Sequence, residues 1–147
     1  MRYSVPESRP FFVNDDDMGT NAPIVHQRII ARLTAGLYPL YFREGLIQLE
    51  PLPETMLGEE SSPTPDLILY DAEAEQTRVI IEICQTKGLR HDLNKVSRIL
   101  DENEYGVVEG FVFDYKTQRW YKFRQGVAAP ENSSYSDVLR LDLNSFL

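Results

Sequence analysis

Apolar residues along this chain fall into two kinds of pattern, and each predicts an element. DLILYD (66–71) and TRVIIEIC (77–84) read as strands joined by the turn AEAEQ. Within the second, VIIEIC is nearly unbroken apolar residues, which is expected of a strand buried on both faces of a sheet. VVEGFVFDY (107–115) is a third buried strand, and RWYKFR (119–124) alternates as its hairpin partner across Lys116-Thr117. LYFREGLIQLE (40–50) reads as strand material with a turn at Glu44-Gly45.

Two stretches repeat at helical spacing. Val25, Ile29 and Leu33 recur every four residues, and Ile30 and Leu37 widen that stripe. Asn21 is placed to cap this helix, Pro23 suits its first turn, and Gly36 and Pro39 mark its end. A second helix is predicted from about Arg90 to Glu104, ending before Gly106, with Leu93, Val96, Ile99 and Leu100 on one face. Asp92 falls inside that arc and Lys95 on its edge. The connection at 51–65 is punctuated by Pro51, Pro53, Gly58, Pro63 and Pro65. The tail DVLRLDLNSFL is amphipathic and fits either helix or strand. A strand, a helix and a strand between residues 77 and 115 require a crossover, so part of the sheet is expected to be parallel. The expected class is α/β with a mixed, α+β-type sheet.

The size of the chain, 147 residues, is that of one domain. Such a chain buries roughly 70% of the surface its unfolded form exposes. One domain over 1–147 is therefore expected, with residues 1–21 irregular. The acidic triplet Asp15-Asp16-Asp17 lies in that segment and reads as a solvated turn. No apolar run reaches the length of a membrane span and no signal-peptide pattern opens the chain. Cys84 is the single cysteine, so no internal disulfide can form, and a cytoplasmic location is the default expectation. The net charge of −8 works against nucleic-acid binding unless positive charge is gathered locally. The richest basic stretches are 87–98 and 116–124. Trp120 reads as a cross-strand packing aromatic, with base stacking as the alternative.

Glu82 is the most informative residue. It interrupts a buried strand and shares a face with Ile80 and Cys84. A carboxylate buried there alone is costly, so a cation, a basic partner or exposure at the strand end must compensate. Asp66 opens the preceding strand directly after Pro65. If the two strands form a hairpin, Asp66 and Glu82 fall toward the same end. Two carboxylates there form a hard oxygen site suited to Mg²⁺ or Mn²⁺, and the backbone carbonyl of Ile83 is a further candidate ligand. Gln85 either orients a water or makes a strand-terminal hydrogen bond. One of Glu50, Glu54, Glu59 and Glu60 is a candidate to complete the site. His26, in the first turn of the first helix, reads as a surface or packing residue.

This constellation resembles the restriction-endonuclease-like, or PD-(D/E)XK, nuclease superfamily. Pro65-Asp66 matches the "PD" element and Glu82 the second acid. The order αβββαβ, with extra strands, also matches. Within the superfamily the chain looks like the Uma-type group, through PTPDLILYD, RVIIEICQTKG, HDLNK and YGVVEGFVFDYK across residues 22–124. The resemblance implies a Mg²⁺-dependent endonuclease acting on DNA, with Asp66, Glu82 and Lys95 catalytic and Asp92 nearby. The family lysine two residues after the second acid is replaced here by Cys84. Lys95 from the helix is the candidate substitute, and Lys87 a weaker one. The departure keeps open a catalytically inactive member that serves as an interaction or assembly module. A homodimer fits the need to cut two strands.

Overall fold

The computed structural model describes residues 21–59 and 62–147. Helix α1 (Asn21–Phe42) is followed by strands β1 (Glu50–Pro53), β2 (Leu67–Asp71) and β3 (Gln76–Cys84). A single 3₁₀ turn at Thr86–Gly88 leads into helix α2 (Leu89–Glu102). Strands β4 (Glu109–Asp114) and β5 (Arg119–Arg124) follow. The chain closes with two short strands, β6 (Tyr135–Ser136) and β7 (Leu141–Asp142), and a 3₁₀ turn at Leu143–Phe146. Strands β1 to β5 form one sheet in that order. All neighbours are antiparallel except β3 and β4, the pair linked by the α2 crossover. This is the mixed α/β architecture expected from the strand–helix–strand pattern. No helix among the described residues is long and apolar enough to cross a membrane.

A helix covers each face of the sheet, which explains the unbroken apolar run in β3. Val79, Ile81 and Ile83 pack under α1 with Ile29, Leu33 and Leu37. Ile80 and Cys84 face the other way, toward Val96, Ile99 and Leu100 of α2. Gly110 lets α2 lie close on β4: a Cβ there would stand 2.5 Å from Val96 Cγ1. Trp120 is on the α1 face. It is buried against Phe111 and Phe113, and its indole N–H donates to Asn144 Oδ1 at 3.0 Å. Its role is packing, and it stands on the opposite face from Glu82.

Several expectations are corrected. Helix α1 does not stop at Gly36 or Pro39 but continues to Phe42. Gly36 is a packing position: a Cβ there would collide with the Phe146 ring. Residues 43–49 form turns rather than strand, with Gly45 at φ +64°, and the edge strand β1 falls inside the expected connection. Pro51 and Pro53 are tolerated because β1 is an edge, paired only with β2. Asn103, in the left-handed conformation, ends α2 before Gly106 does. The Asn21 cap and the Asp15–Asp17 triplet fall outside what is described.

The second basic stretch is split: Arg119 and Arg124 are exposed, but Lys122 is not. Lys122 is buried, with its ammonium 2.8 Å from Asp137 and 3.8 Å from the buried Glu109. Glu109 also accepts hydrogen bonds from Ser136 Oγ and the Asp137 N–H, which pins the C-terminal segment against the sheet.

Candidate metal centre

Strand register builds the site. Leu67 pairs with Ile81 across β2 and β3. One further residue sets Asp66 opposite Glu82, and directly opposed residues of an antiparallel pair have Cα atoms about 4.5–5.5 Å apart. The ladder stops there, because β2 begins at Leu67. The free amide of Ile83 donates instead to Asp66 Oδ2 at 2.8 Å. The N–H and C=O of one strand residue point to the same side, so the Ile83 carbonyl faces the edge where Asp66 sits.

Glu82 is 3% exposed and points toward α2. Lys95, on the first half of α2, brings its ammonium to 2.8 Å from Glu82 Oε2. The contact is close but off the line of a hydrogen bond, so this buried oxygen has an ion-pair partner and no aligned hydrogen bond. Burial and then the Asp66 charge push the Glu82 carboxyl up to about 8, against the opposing pull of Lys95. Burial also opposes the charge on Asp66, but hydrogen bonds from His26 and Ile83 outweigh it and hold that carboxyl below its usual value. The two acids are thus driven apart in protonation, and a hydrogen bond from Glu82 also favours the charged form of Asp66.

The structure places the remaining candidates around this pair. Asp92 is half-buried one turn before Lys95. Burial raises its carboxyl, opposed by His91 at 3.3 Å and by Lys95. Its charge is felt at Glu82, so it belongs to the same cluster. Gln85, just past the end of β3, has its side chain at the buried Tyr115 hydroxyl, where its hydrogen bond works against the rise that burial causes. Lys87 is exposed on the 3₁₀ turn and forms no ion pair with either acid. Cys84 shares the Glu82 face, and burial pushes its thiol far up, so it stays neutral. Of the acids proposed to complete the site, Glu54 adjoins it. Its N–H donates to the Asp66 carbonyl at 2.9 Å, and its charge reaches His26. Glu50 pairs with Tyr70, farther along the sheet. Glu60 lies outside the described residues.

His26 is the residue that the sequence reading missed. Its Nε2 lies 3.1 Å from Asp66 Oδ2, and that hydrogen bond outweighs burial to raise the imidazole above its usual value. A signal was present. His26 precedes Ile29 and Ile30 by three and four residues, so it extends the buried stripe of α1 by one turn.

The donor set fits a hard divalent cation. Two carboxylates and a backbone carbonyl supply only oxygen, and Glu82 Oε2 is a buried acceptor without an aligned donor. Among the described residues no group of three or more His, Cys, Asp and Glu side chains is assembled to hold a metal ion. A cation here would therefore keep several waters, as Mg²⁺ commonly does on one or two carboxylates.

No family model matches the chain, and no curated protein matches it. Among solved structures it is similar to a candidate nuclease belonging to DUF820 from Anabaena variabilis ATCC 29413. The TM-score is 0.63 at 13% sequence identity, over 82% of this chain and 79% of that one. At that identity the likeness shows a shared fold.

Proposed function

We propose that this chain is a PD-(D/E)XK nuclease of the Uma type that hydrolyses phosphodiester bonds of DNA with Mg²⁺ or Mn²⁺ held by Asp66, Glu82 and the Ile83 carbonyl. One observation carries the reading: two acids face each other just before β2 begins, and the buried one has a lysine at 2.8 Å from outside its own strand. The name of the Anabaena protein of this fold points the same way.

In this reading the bound cation supplies Lewis acidity and an activated water. The protein's own residues position and balance charge. Ile83 fixes the Asp66 carboxylate through its N–H. Burial in the β3 strand holds Glu82 at a set depth. Lys95 takes the role of the family lysine, reaching Glu82 from α2 rather than from position 84, and its positive charge offsets the negative charge that develops on the phosphate. The partner is DNA, and a two-fold dimer is the arrangement that reaches both strands.

A second reading, an inactive module of the same fold, draws on Cys84. It is neutral and buried at the position of the family lysine. A plasmid cleavage assay in Mg²⁺ and Mn²⁺ separates the two. The nuclease reading expects metal-dependent nicking that Asp66→Ala and Glu82→Ala each abolish and Lys95→Met lowers by roughly 100-fold or more. No cleavage by a folded wild-type protein in either metal favours the module.

A further inference from the structure

Beside the acids, α2 and the segment before β2 enclose a cavity of about 320 Å³. His91, Lys95, Arg98 and Glu102 line it at spacings of four, three and four, which is one face of a helix. Ile99, Pro63 and Tyr105 give it an apolar wall. Lys95 belongs to both places: it lines the cavity, and its ammonium meets Glu82. The cavity and the carboxylate pair are therefore neighbours that share Lys95.

The cavity lining places Arg98 beside Lys95 on one helix face. The protein carries a net charge of −8. In the other basic stretch, Lys122 and Arg124 are tied to Glu131 and Asp137. Arg98 is exposed and makes no ion pair among the described residues. Lys95 and Arg98, three residues apart, have Cβ atoms about 5–6 Å apart, comparable to a single step along a nucleic-acid backbone. Glu102 closes the far end with the opposite sign and so disfavours a second phosphate there.

We infer that this cavity is a nucleotide subsite for the DNA strand being cut: Arg98 takes the phosphate next to the scissile one, and Tyr105, Pro63 and Ile99 contact the attached sugar or base. The inference rests on the nuclease reading for the position of the scissile phosphate. The volume suits one nucleotide, at the small end of ligand pockets.

The test is binding of a short fluorescein-labelled DNA oligonucleotide in EDTA, followed by anisotropy over a range of salt. Arg98→Ala is compared with Arg43→Ala, which removes the same charge from the exposed end of α1. The subsite predicts that Arg98→Ala weakens binding by roughly tenfold and reduces the salt slope by about 1, while Arg43→Ala leaves both nearly unchanged. Equal effects of the two substitutions, no effect of Arg98→Ala, or no binding by the wild type overturns it. Hydrolysis of bis(p-nitrophenyl) phosphate in Mn²⁺ is read alongside, because this small diester does not extend into the cavity. Its Asp66-dependent hydrolysis with no Arg98 effect on oligonucleotide binding removes the subsite and keeps the nuclease. Arg98-dependent binding without hydrolysis keeps the Arg98 phosphate contact and removes the nuclease, and with it the place of that phosphate beside a scissile one.

Discussion

Asp66 Oδ2 accepts the N–H of Ile83 at 2.8 Å, so the residue that follows Glu82 fixes the carboxylate that faces Glu82. The bond takes the place of the ladder hydrogen bond that β2 would have made one residue earlier. It follows that Asp66 and Glu82 form one electrostatic unit. In Asp66→Asn the amide oxygen still accepts from Ile83 but the charge is gone. The Glu82 carboxyl should then fall from about 8 toward its usual value, while staying above it because burial is the larger cause. Carboxyl ¹³C chemical shifts followed against pH in the metal-free protein measure this. An unchanged Glu82 titration would show that the two acids do not interact.

The raised Glu82 carboxyl also fixes a sign for stability. Its folded value of about 8 lies above its unfolded value near 4.5, so between these pH values the folded state binds the extra proton. Metal-free stability should therefore decline as pH rises through that window. The raised His26 imidazole acts in the same direction, with its contribution present below about 6.5 and lost above its folded value. Glu82→Gln should flatten the decline, and thermal melts of both proteins from pH 5 to pH 8 in EDTA check it. A wild-type protein that gains stability over this range would contradict the assignment.

Gly110 sets how closely the helix that carries Lys95 lies on the sheet. In Gly110→Ala the new methyl meets Val96 Cγ1 at 2.5 Å and Leu100 Cδ1 at 3.3 Å. Overpacking of this kind costs about 1–3 kcal/mol. The shift of α2 should also loosen the Lys95–Glu82 contact. Urea unfolding gives the first quantity, and plasmid cleavage relative to wild type gives the second.

Trp120 should affect stability alone. Trp120→Phe keeps much of the packing against Phe111 and Phe113 but leaves Asn144 Oδ1 without its donor. A loss of about 1–2 kcal/mol is expected, with cleavage and oligonucleotide binding unchanged. A drop in DNA affinity without a drop in stability would restore the stacking role.

The strands 66–71, 77–84, 107–115 and 119–124 and the helix from 90 were legible because burial on one or both faces leaves a periodic trace. The hairpin was legible too, but its register was not: an unbroken ladder from Asp71 and Gln76 would set Asp66 opposite Ile81, and the bulge between Leu69 and Tyr70 moves it opposite Glu82. The end of α1 was not. Gly36 and Pro39 carry the local signature of a helix stop, yet Gly36 is set by the Phe146 ring, a contact from the other end of the chain. Strand β1 was hidden because Pro51 and Pro53 are breakers everywhere except at a sheet edge. The His26–Asp66 contact was half visible, in the helical stripe but not in what the stripe would meet.

The central claim is that Asp66 and Glu82 share one cation, and anomalous diffraction from crystals soaked in Mn²⁺ tests it most directly. The account predicts one strong peak within roughly 2.5 Å of oxygens from both carboxylates, with the Ile83 carbonyl beside it. Its loss in Asp66→Ala and in Glu82→Ala crystals is also predicted. A peak bound elsewhere, or none beside a Glu82 still paired with Lys95, would contradict it.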